Sequence, residues 1–321
     1  MTESRAPEAD PRASVLIVAY RTPELIDDCL KSLYAGVTDE VEVVVVDNAS
    51  GDGTAEQIAA NWPQVKLIVS DTNLGFARAV NLAARHATGE VLVLLNPDTV
   101  VHDDPVAELV SFLRERPEVG LAGGRTLAPD GTLDPRSCWG RPTVWSTFCF
   151  AAGLSTAFKG NRFLDPEALG GWQRDDVRQV GVVTGCLLAV PRTVWDELGG
   201  FDPSFFMYGE DVDLSLRAAA LGYQPSIDPK AVITHVVGAS SAHRADKMML
   251  VMKGKATVAD KHLHPAAKAL LAAGVAVRAA GARATRNSKV VWPELWRRRR
   301  EWLAGYPKVE ETPDPVTRPS S

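Results

Sequence analysis

The chain has 321 residues, enough for one large domain or two smaller ones. It is 45% apolar and 23% charged, an ordinary globular make-up that excludes a collagen-like, wholly disordered or multi-span membrane chain. The net charge of −5 is unevenly spread: residues 243–306 hold fourteen basic against four acidic side chains, which leaves the rest strongly acidic. Such an asymmetry fits a body that needs cations and a basic appendage that meets something anionic, although solvated helix faces would produce it too.

Residues 1–13 are polar, lack an apolar run and are expected to be disordered rather than a secretory leader. From Ser14 short β-rich runs alternate with helical stretches, the rhythm of an α/β fold with a largely parallel sheet. Ser14 to Tyr20 reads as the first strand, and Thr22-Pro23-Glu24 as the cap, first turn and early acid of a helix to about Tyr34. Val41 to Asp47 is apolar on both faces, as a central parallel strand is. Helices over 54–61 and 76–86 and strands over 66–71 and 90–98 continue the pattern.

The turn residues Pro129-Asp130-Gly131 predict a hairpin or antiparallel addition between 119–127 and Thr132 onward. Residues 138–178 read as loop-rich substrate surface, Val182 to Val190 as a strand, and Glu210 to Leu221 as a helix stopped by Gly222. The stretch 243–305 is expected to be mostly helical. Its apolar run Ala269 to Val277 is too short to cross a membrane, which takes about 20 residues. Trp292, Leu295, Trp296, Trp302 and Leu303 recur at helical spacing around Arg297 to Arg300, which predicts an amphipathic helix docking on an anionic membrane surface; packing on the protein's own body is the alternative. Four scattered cysteines without a C-x-x-C pair suggest a reducing compartment rather than a zinc or disulfide scaffold.

Ligands of such sheets bind beyond the carboxyl ends of the strands, where Asp47 and Asn96-Pro97-Asp98 stand. A carboxylate there can hold a nucleotide or a divalent cation, or merely form a turn. Gly51-x-Gly53 fails as a dinucleotide fingerprint because Glu56 replaces the third glycine, which removes a nicotinamide dehydrogenase. In Phe205 to Asp213 an aromatic loop runs into a helix headed by Glu210, Asp211 and Asp213. These acids either complement the helix dipole or include a base of raised pKa. His235 is a ligand or a structural histidine on the same footing.

SVLIVAYRT, VVVDNASGDGT, DTNLGFARAVN, LVLLNPDT, TGCLLAVPRTVWDELGGFDPSFFMYGEDVDLSLRAAALGY and THVVGASS, in that order over residues 14–241, resemble glycosyltransferase family 2, in its rhamnosyltransferase-like branch of bacterial cell-wall and polysaccharide assembly. The resemblance implies a GT-A fold over 14–242, with a nucleotide-sugar half (14–127) and an acceptor half (128–242). A basic helical extension (243–306) and a disordered tail (307–321) would follow. It further implies that Ala19, Tyr20 and Asp47 hold the donor's base and ribose, that Asn73, Gly75, Arg78 and Asn96 lie near the donor, and that Asp98 and His235 bind Mg²⁺ or Mn²⁺. Asp211 becomes the catalytic base, with Glu210, Tyr208 and Trp139 on the acceptor side.

The expected reaction is an inverting single displacement. The donor is a dTDP- or UDP-sugar, dTDP-L-rhamnose foremost, with another hexose or galactofuranose as alternatives. The acceptor is a polyprenyl-diphosphate-linked or growing glycan, reached from the inner face of the plasma membrane. Nucleic acid is not among the expected partners, and a catalytically silent nucleotide-sugar-binding assembly protein is the alternative from another class.

Overall fold

The computed structural model describes residues 12–37, 41–236, 244–285 and 291–309. Strand β1 (Ala13–Ala19) leads into helix α1 (Pro23–Gly36), β2 (Val41–Asp47) into α2 (Thr54–Asn61), and β3 (Lys66–Val69) into α3 (Phe76–His86). Next come β4 (Val91–Leu95), β5 (Thr99–His102), α4 (Pro105–Glu115) and β6 (Ala122–Leu127). The middle of the chain forms β7 (Cys138–Trp139), α5 (Val144–Ala151), α6 (Leu154–Ala157), β8 (Arg178–Gln179), β9 (Val182–Val183) and β10 (Leu187–Pro191). Helices α7 (Arg192–Leu198) and α8 (Glu210–Ala220) and strand β11 (Ser226–His235) complete the α/β body. Four helices follow: α9 (Arg244–His262), α10 (Ala266–Ala284), α11 (Trp292–Arg297) and α12 (Arg299–Leu303).

The main sheet runs β3-β2-β1-β4-β10-β6-β11-β5, with β8 beside β11. Its first four strands are parallel, as the βα rhythm predicts, whereas β10 lies antiparallel between β4 and β6. Period-two alternation divides the strands between two cores. Leu16, Val18, Val44, Val46, Leu92 and Leu94 face α3, while Val15, Ile17, Val43, Val45, Val91 and Val93 face α1 and α4. With both faces covered, alternation of polarity disappears and the strands read as continuous apolar runs.

Several elements differ from expectation. Thr22 stands at the head of α1, but its hydroxyl makes no capping bond and Pro23 alone marks the start. The turn after β6 forms, with the Ala128 amide donating to the Thr132 carbonyl, yet β6 takes β10 and β11 as its partners and only an isolated bridge joins Leu127 to Leu133. The strand expected over 182–190 is broken at Thr184-Gly185-Cys186 into β9, which pairs with β7, and β10. Within 138–178 the chain forms α5, whose cap is reciprocal: the Ser146 amide donates to Thr143 Oγ1 and the Thr143 amide to Ser146 Oγ.

The C-terminal helices have a core of their own, with Met252, Ala256, Leu271, Val275, Leu295 and Trp302 fully or nearly buried. The expected amphipathic helix is broken at Arg298 into α11 and α12, and its aromatic face turns inward: Trp302 is buried and donates its indole N–H to the Leu295 carbonyl. Trp292, Trp296 and Leu303 pack on the same core, and Arg298 is held by Asp246 and Glu301. Packing on the body therefore replaces the expected membrane-facing surface. Large exposed aromatics lie instead at Trp145, Phe148, Phe158 and Phe163.

The extension is fastened to the body. Buried Asp213 on α8 meets Arg217 at 2.8 Å, Lys261 at 2.5 Å and His262 at 2.7 Å, the last two from α9. Gly254 of α9 packs on the Tyr208 carbonyl so closely that a Cβ there would collide with it. Pro307 to Val309, assigned in the sequence reading to the tail, are ordered enough for the Val309 amide to donate to Ser204 Oγ at 3.3 Å. Ala13, assigned to the disordered N-terminus, is the first residue of β1. Residues 1–11, 237–243 and 310–321 lie outside the described residues, and with them the expected boundary at 242 and most of both expected disordered ends. Among the described residues no helix is long and apolar enough to cross a membrane.

Candidate active site

Asn96-Pro97-Asp98 joins β4 to β5. The Asn96 carbonyl accepts the Thr99 hydroxyl at 2.7 Å, and Thr99 lies opposite His235 in the antiparallel ladder of β5 and β11. The Val236 amide donates to the Asp98 carbonyl at 2.8 Å, so the register that closes the sheet also sets Asp98 Oδ1 3.2 Å from His235 Nε2. On the far side of the ring, Asp134 Oδ2 lies 3.7 Å from His235 Nδ1, a buried nitrogen with no hydrogen-bond partner. Asp134 is clasped by Arg136, whose Nε and Nη2 donate at 2.7 and 2.6 Å. Burial opposes the imidazolium, but the Asp134 and Asp98 carboxylates outweigh it and hold the His235 pKa up at about 9.

The second group comes from the loop between α7 and α8. Asn81 of α3 ties that loop down, donating to the Phe201 carbonyl at 2.8 Å and accepting its amide at 3.0 Å. Arg217 reaches back from α8 to the carbonyls of Leu198 and Gly200. Tyr208 and Gly209 then both take positive φ, 69° and 102°, and this double reversal delivers Glu210 and Asp211 at the head of α8. Glu210 is buried with Oε2 unpartnered, and Asp211 is half-buried with Oδ1 accepting the Val212 amide at 2.8 Å. Burial, and for Glu210 also the neighbouring Asp211 carboxylate, push both pKa values up.

One cavity of about 560 Å³ collects Asn96, Asp98, Trp139, Tyr208, Glu210, Asp211 and His235. Ala19, Tyr20, Asp47, Asn73, Gly75 and Arg78 are not among its lining residues. They follow a neighbouring edge. Ala19 and Asp47 are register partners at the carboxyl ends of β1 and β2, beside the end of β4. Burial pushes the Asp47 carboxyl up, and its Oδ2 accepts the Ser50 amide at 3.3 Å. Asn48 links this edge to the next loop, donating to Asn73 Oδ1 at 3.2 Å and accepting the Leu74 amide at 2.8 Å. Gly75, at φ 78°, lies against the Phe206 carbonyl, which accepts the Phe76 amide, so the loop before α3 touches the loop that leads into α8.

Sequence reasoning missed Asp134, Arg136, Thr184, Glu167, Phe150 and the α9 side chains Lys247, Val251 and Lys255. All but Asp134 line the cavity. Asp134-x-Arg136 directly follows the recognised turn and was legible as an acid–base pair; the α9 contribution depends on tertiary packing and showed in the sequence only as the basic excess over 243–306.

Asp98 and His235 would hold a divalent cation only after the imidazolium gives up its Nε2 proton, because a metal binds the neutral ring; a carboxylate oxygen and an imidazole nitrogen 3.2 Å apart are then donor types that Mn²⁺ accepts. Among the described residues no three His, Cys, Asp or Glu side chains gather as a metal cage. A cation here would therefore complete its shell from phosphate and water, the usual habit of Mg²⁺ beside substrate phosphates.

A parallel βα block with acids along its carboxyl edge, joined through an antiparallel strand to a second half that carries a histidine and a carboxylate pair, is the GT-A architecture of glycosyltransferases. The family model for glycosyl transferase family 2 matches residues 14–170. The chain is 28% identical over 269 residues to an N-acetylglucosaminyl-diphospho-decaprenol L-rhamnosyltransferase of Mycobacterium tuberculosis, covering 77% of this chain and 84% of that one. It is 29% identical over 239 residues to the O-antigen biosynthesis protein RfbC of Myxococcus xanthus, covering 74% of this chain and 18% of that one. The mannosyltransferase PcManGT of Pyrobaculum calidifontis, solved with GDP-Man and Mn²⁺, superposes with a TM-score of 0.57 at 24% identity, over 94% of this chain and 85% of that one. The chain belongs to glycosyltransferase family 2 and is a glycosyltransferase.

Proposed function

We propose that this enzyme is a metal-dependent, inverting transferase that moves L-rhamnose from dTDP-L-rhamnose to a polyprenyl-diphosphate-linked glycan, working at the cytoplasmic face of the plasma membrane. The observation that carries the reading is that Asp98, His235, Glu210 and Asp211, from three separate segments, open onto one cavity. In this reading the cation ligands and the base share one space. The mycobacterial relative supports the sugar and the lipid-linked acceptor, and neighbours solved with Mn²⁺ support the cation.

In this reading Ala19, Tyr20 and Asp47 hold base and ribose, while Asn73, Gly75, Arg78 and Asn96 border the diphosphate and sugar. Asp98 and His235 would hold Mg²⁺ or Mn²⁺, which supplies neutralisation of charge on the departing diphosphate. The acceptor hydroxyl enters between Trp139 and Tyr208. Asp211 takes its proton as the oxygen bonds to the anomeric carbon; the bond from that carbon to the donor phosphate oxygen breaks, and the nucleoside diphosphate leaves with the electron pair. A single displacement inverts the anomeric centre. Glu210, more deeply buried than Asp211, keeps its proton and so spares Asp211 a second negative charge.

The test is transfer from dTDP-L-rhamnose to N-acetylglucosaminyl-diphospho-polyprenol with Mn²⁺, run beside UDP-galactofuranose, UDP-hexoses and GDP-mannose. Rhamnosylated lipid formed only with dTDP-L-rhamnose and metal is the expected result. Turnover with a different donor alone would overturn the donor assignment, and tight donor binding without turnover of any donor would favour the silent binding protein.

A further inference from the structure

Where the acceptor lies, beyond the reacting hydroxyl, follows from the wall of the cavity that the C-terminal helices build. Lys247, Val251, Lys255, Val258 and Ala259 recur on α9 at spacings of four, four, three and one, a single stripe facing the cavity that holds Asp98 and Asp211. Leu263, Leu271 of α10 and Phe150 of α5 continue the wall. It offers aliphatic and aromatic surface with two ammonium groups about 12 Å apart along the helix. Hydroxyl-bonding groups, which a purely saccharide acceptor needs, are sparse along it.

Placement and charge narrow the ligand further. Gly254, inside the same stretch of α9, packs directly on the Tyr208 carbonyl, so this wall abuts the loop that delivers the carboxylate pair. Among the described residues Lys247 meets no anionic side chain, although the chain as a whole is acidic. Lys255 makes a loose 3.6 Å contact with Glu167 and lies over the Phe150 ring. Arg136, the other nearby cation, is already committed to Asp134. Lys247 therefore carries the uncommitted charge, Lys255 shares its own with Glu167, and both stand beside apolar surface one helix stripe away from Asp211.

We infer that Lys247 and Lys255 bind the diphosphate of a lipid-diphosphate acceptor, whose hydrocarbon chain runs along the partly exposed Val251, Leu263 and Phe150. The inference rests on the glycosyltransferase reading above and names the acceptor subsite within it.

Calorimetry separates the two. Full-length protein is first saturated with dTDP and Mn²⁺, which fills the donor side, and then titrated with farnesyl diphosphate, inorganic pyrophosphate or farnesol. Farnesyl diphosphate should bind the parent at least tenfold more tightly than either fragment, because charge and chain are read together. Lys247→Gln with Lys255→Gln should weaken farnesyl diphosphate at least tenfold, leave dTDP affinity within about twofold and keep the melting temperature; Lys247→Arg with Lys255→Arg should restore most of the binding. In steady state the glutamine pair should raise KM for lipid-linked acceptor with kcat little changed. If dTDP binds but farnesyl diphosphate does not, or binds parent and glutamine variant equally, this subsite is wrong while the transferase reading stands. If dTDP fails to bind with Mn²⁺ present, the dTDP donor of the proposed function falls, and farnesyl diphosphate titrated without nucleotide reads the subsite by itself: equal binding by parent and glutamine variant overturns it.

Discussion

Asp98 Oδ1 and His235 Nε2 stand 3.2 Å apart because Thr99 and His235 are register partners across β5 and β11. Strand pairing next to the turn that carries Asp98 thus sets the spacing of the pair, and a cation bound here would take the place of the imidazolium proton. Asp98→Asn keeps shape but removes a charged oxygen ligand, so Mn²⁺-dependent donor binding should weaken at least tenfold in calorimetry. Unchanged affinity for donor and Mn²⁺ would return Asp98 to the role of a turn former.

Buried Asp213 is the anchor between body and extension. Burial would raise its pKa, but His262, Arg217 and Lys261 hold it well below the usual carboxylate range. With a folded pKa below the unfolded value near 3.9, its contribution is whole above about pH 5 and is lost as pH falls through the carboxylate range. Asp213→Asn should cost about 3 kcal/mol at pH 7 and give a shallower loss of stability between pH 5 and 3 than the parent, read by urea unfolding at each pH. Parallel acid-side slopes would show that Asp213 does not carry the linkage.

Trp302 tests the inward packing of the last helices. Trp302→Ala leaves a cavity among Leu295, Met252 and Leu271 and should destabilise by roughly 3–5 kcal/mol. A change under about 1 kcal/mol in chemical denaturation would mean that this side chain is solvent- or membrane-facing after all.

Gly254 reports whether α9 belongs to the catalytic unit. Its added Cβ in Gly254→Ala meets the Tyr208 carbonyl, whose residue is already at positive φ, so the loop must shift. Reacting groups displaced by about 1 Å can lose 10²-fold in rate, and kcat should drop by about that factor while donor affinity holds. Wild-type kcat would uncouple the extension from the chemistry.

What was legible in the sequence follows the range of the interactions. The βα block was readable because β1, β2 and β4 are uninterrupted apolar runs between clear helix starts, and Asp47, Asn96 and Asp98 end those runs. The pairing of Asp98 with His235 joins residues more than 130 apart, and only the β5–β11 register brings them together. The antiparallel insertion of β10 and the break at Gly185 gave no periodic signal, since β9 has only two residues. The tryptophans of α11 and α12 show the opposite limit. An amphipathic pattern states that one face wants an apolar neighbour and is silent on whether that neighbour is lipid or Met252.

The division of labour between Glu210 and Asp211 is the heart of the account, and a paired measurement of turnover and donor affinity tests it. Asp211→Asn should lower kcat by about 10² to 10⁴ with donor Kd within about twofold of the parent, because a base acts on the transition state, whereas Glu210→Gln, which mimics the protonated acid, should lose far less. Equal losses in the two variants, or parental turnover in Asp211→Asn, would contradict the assignment of Asp211 as the base.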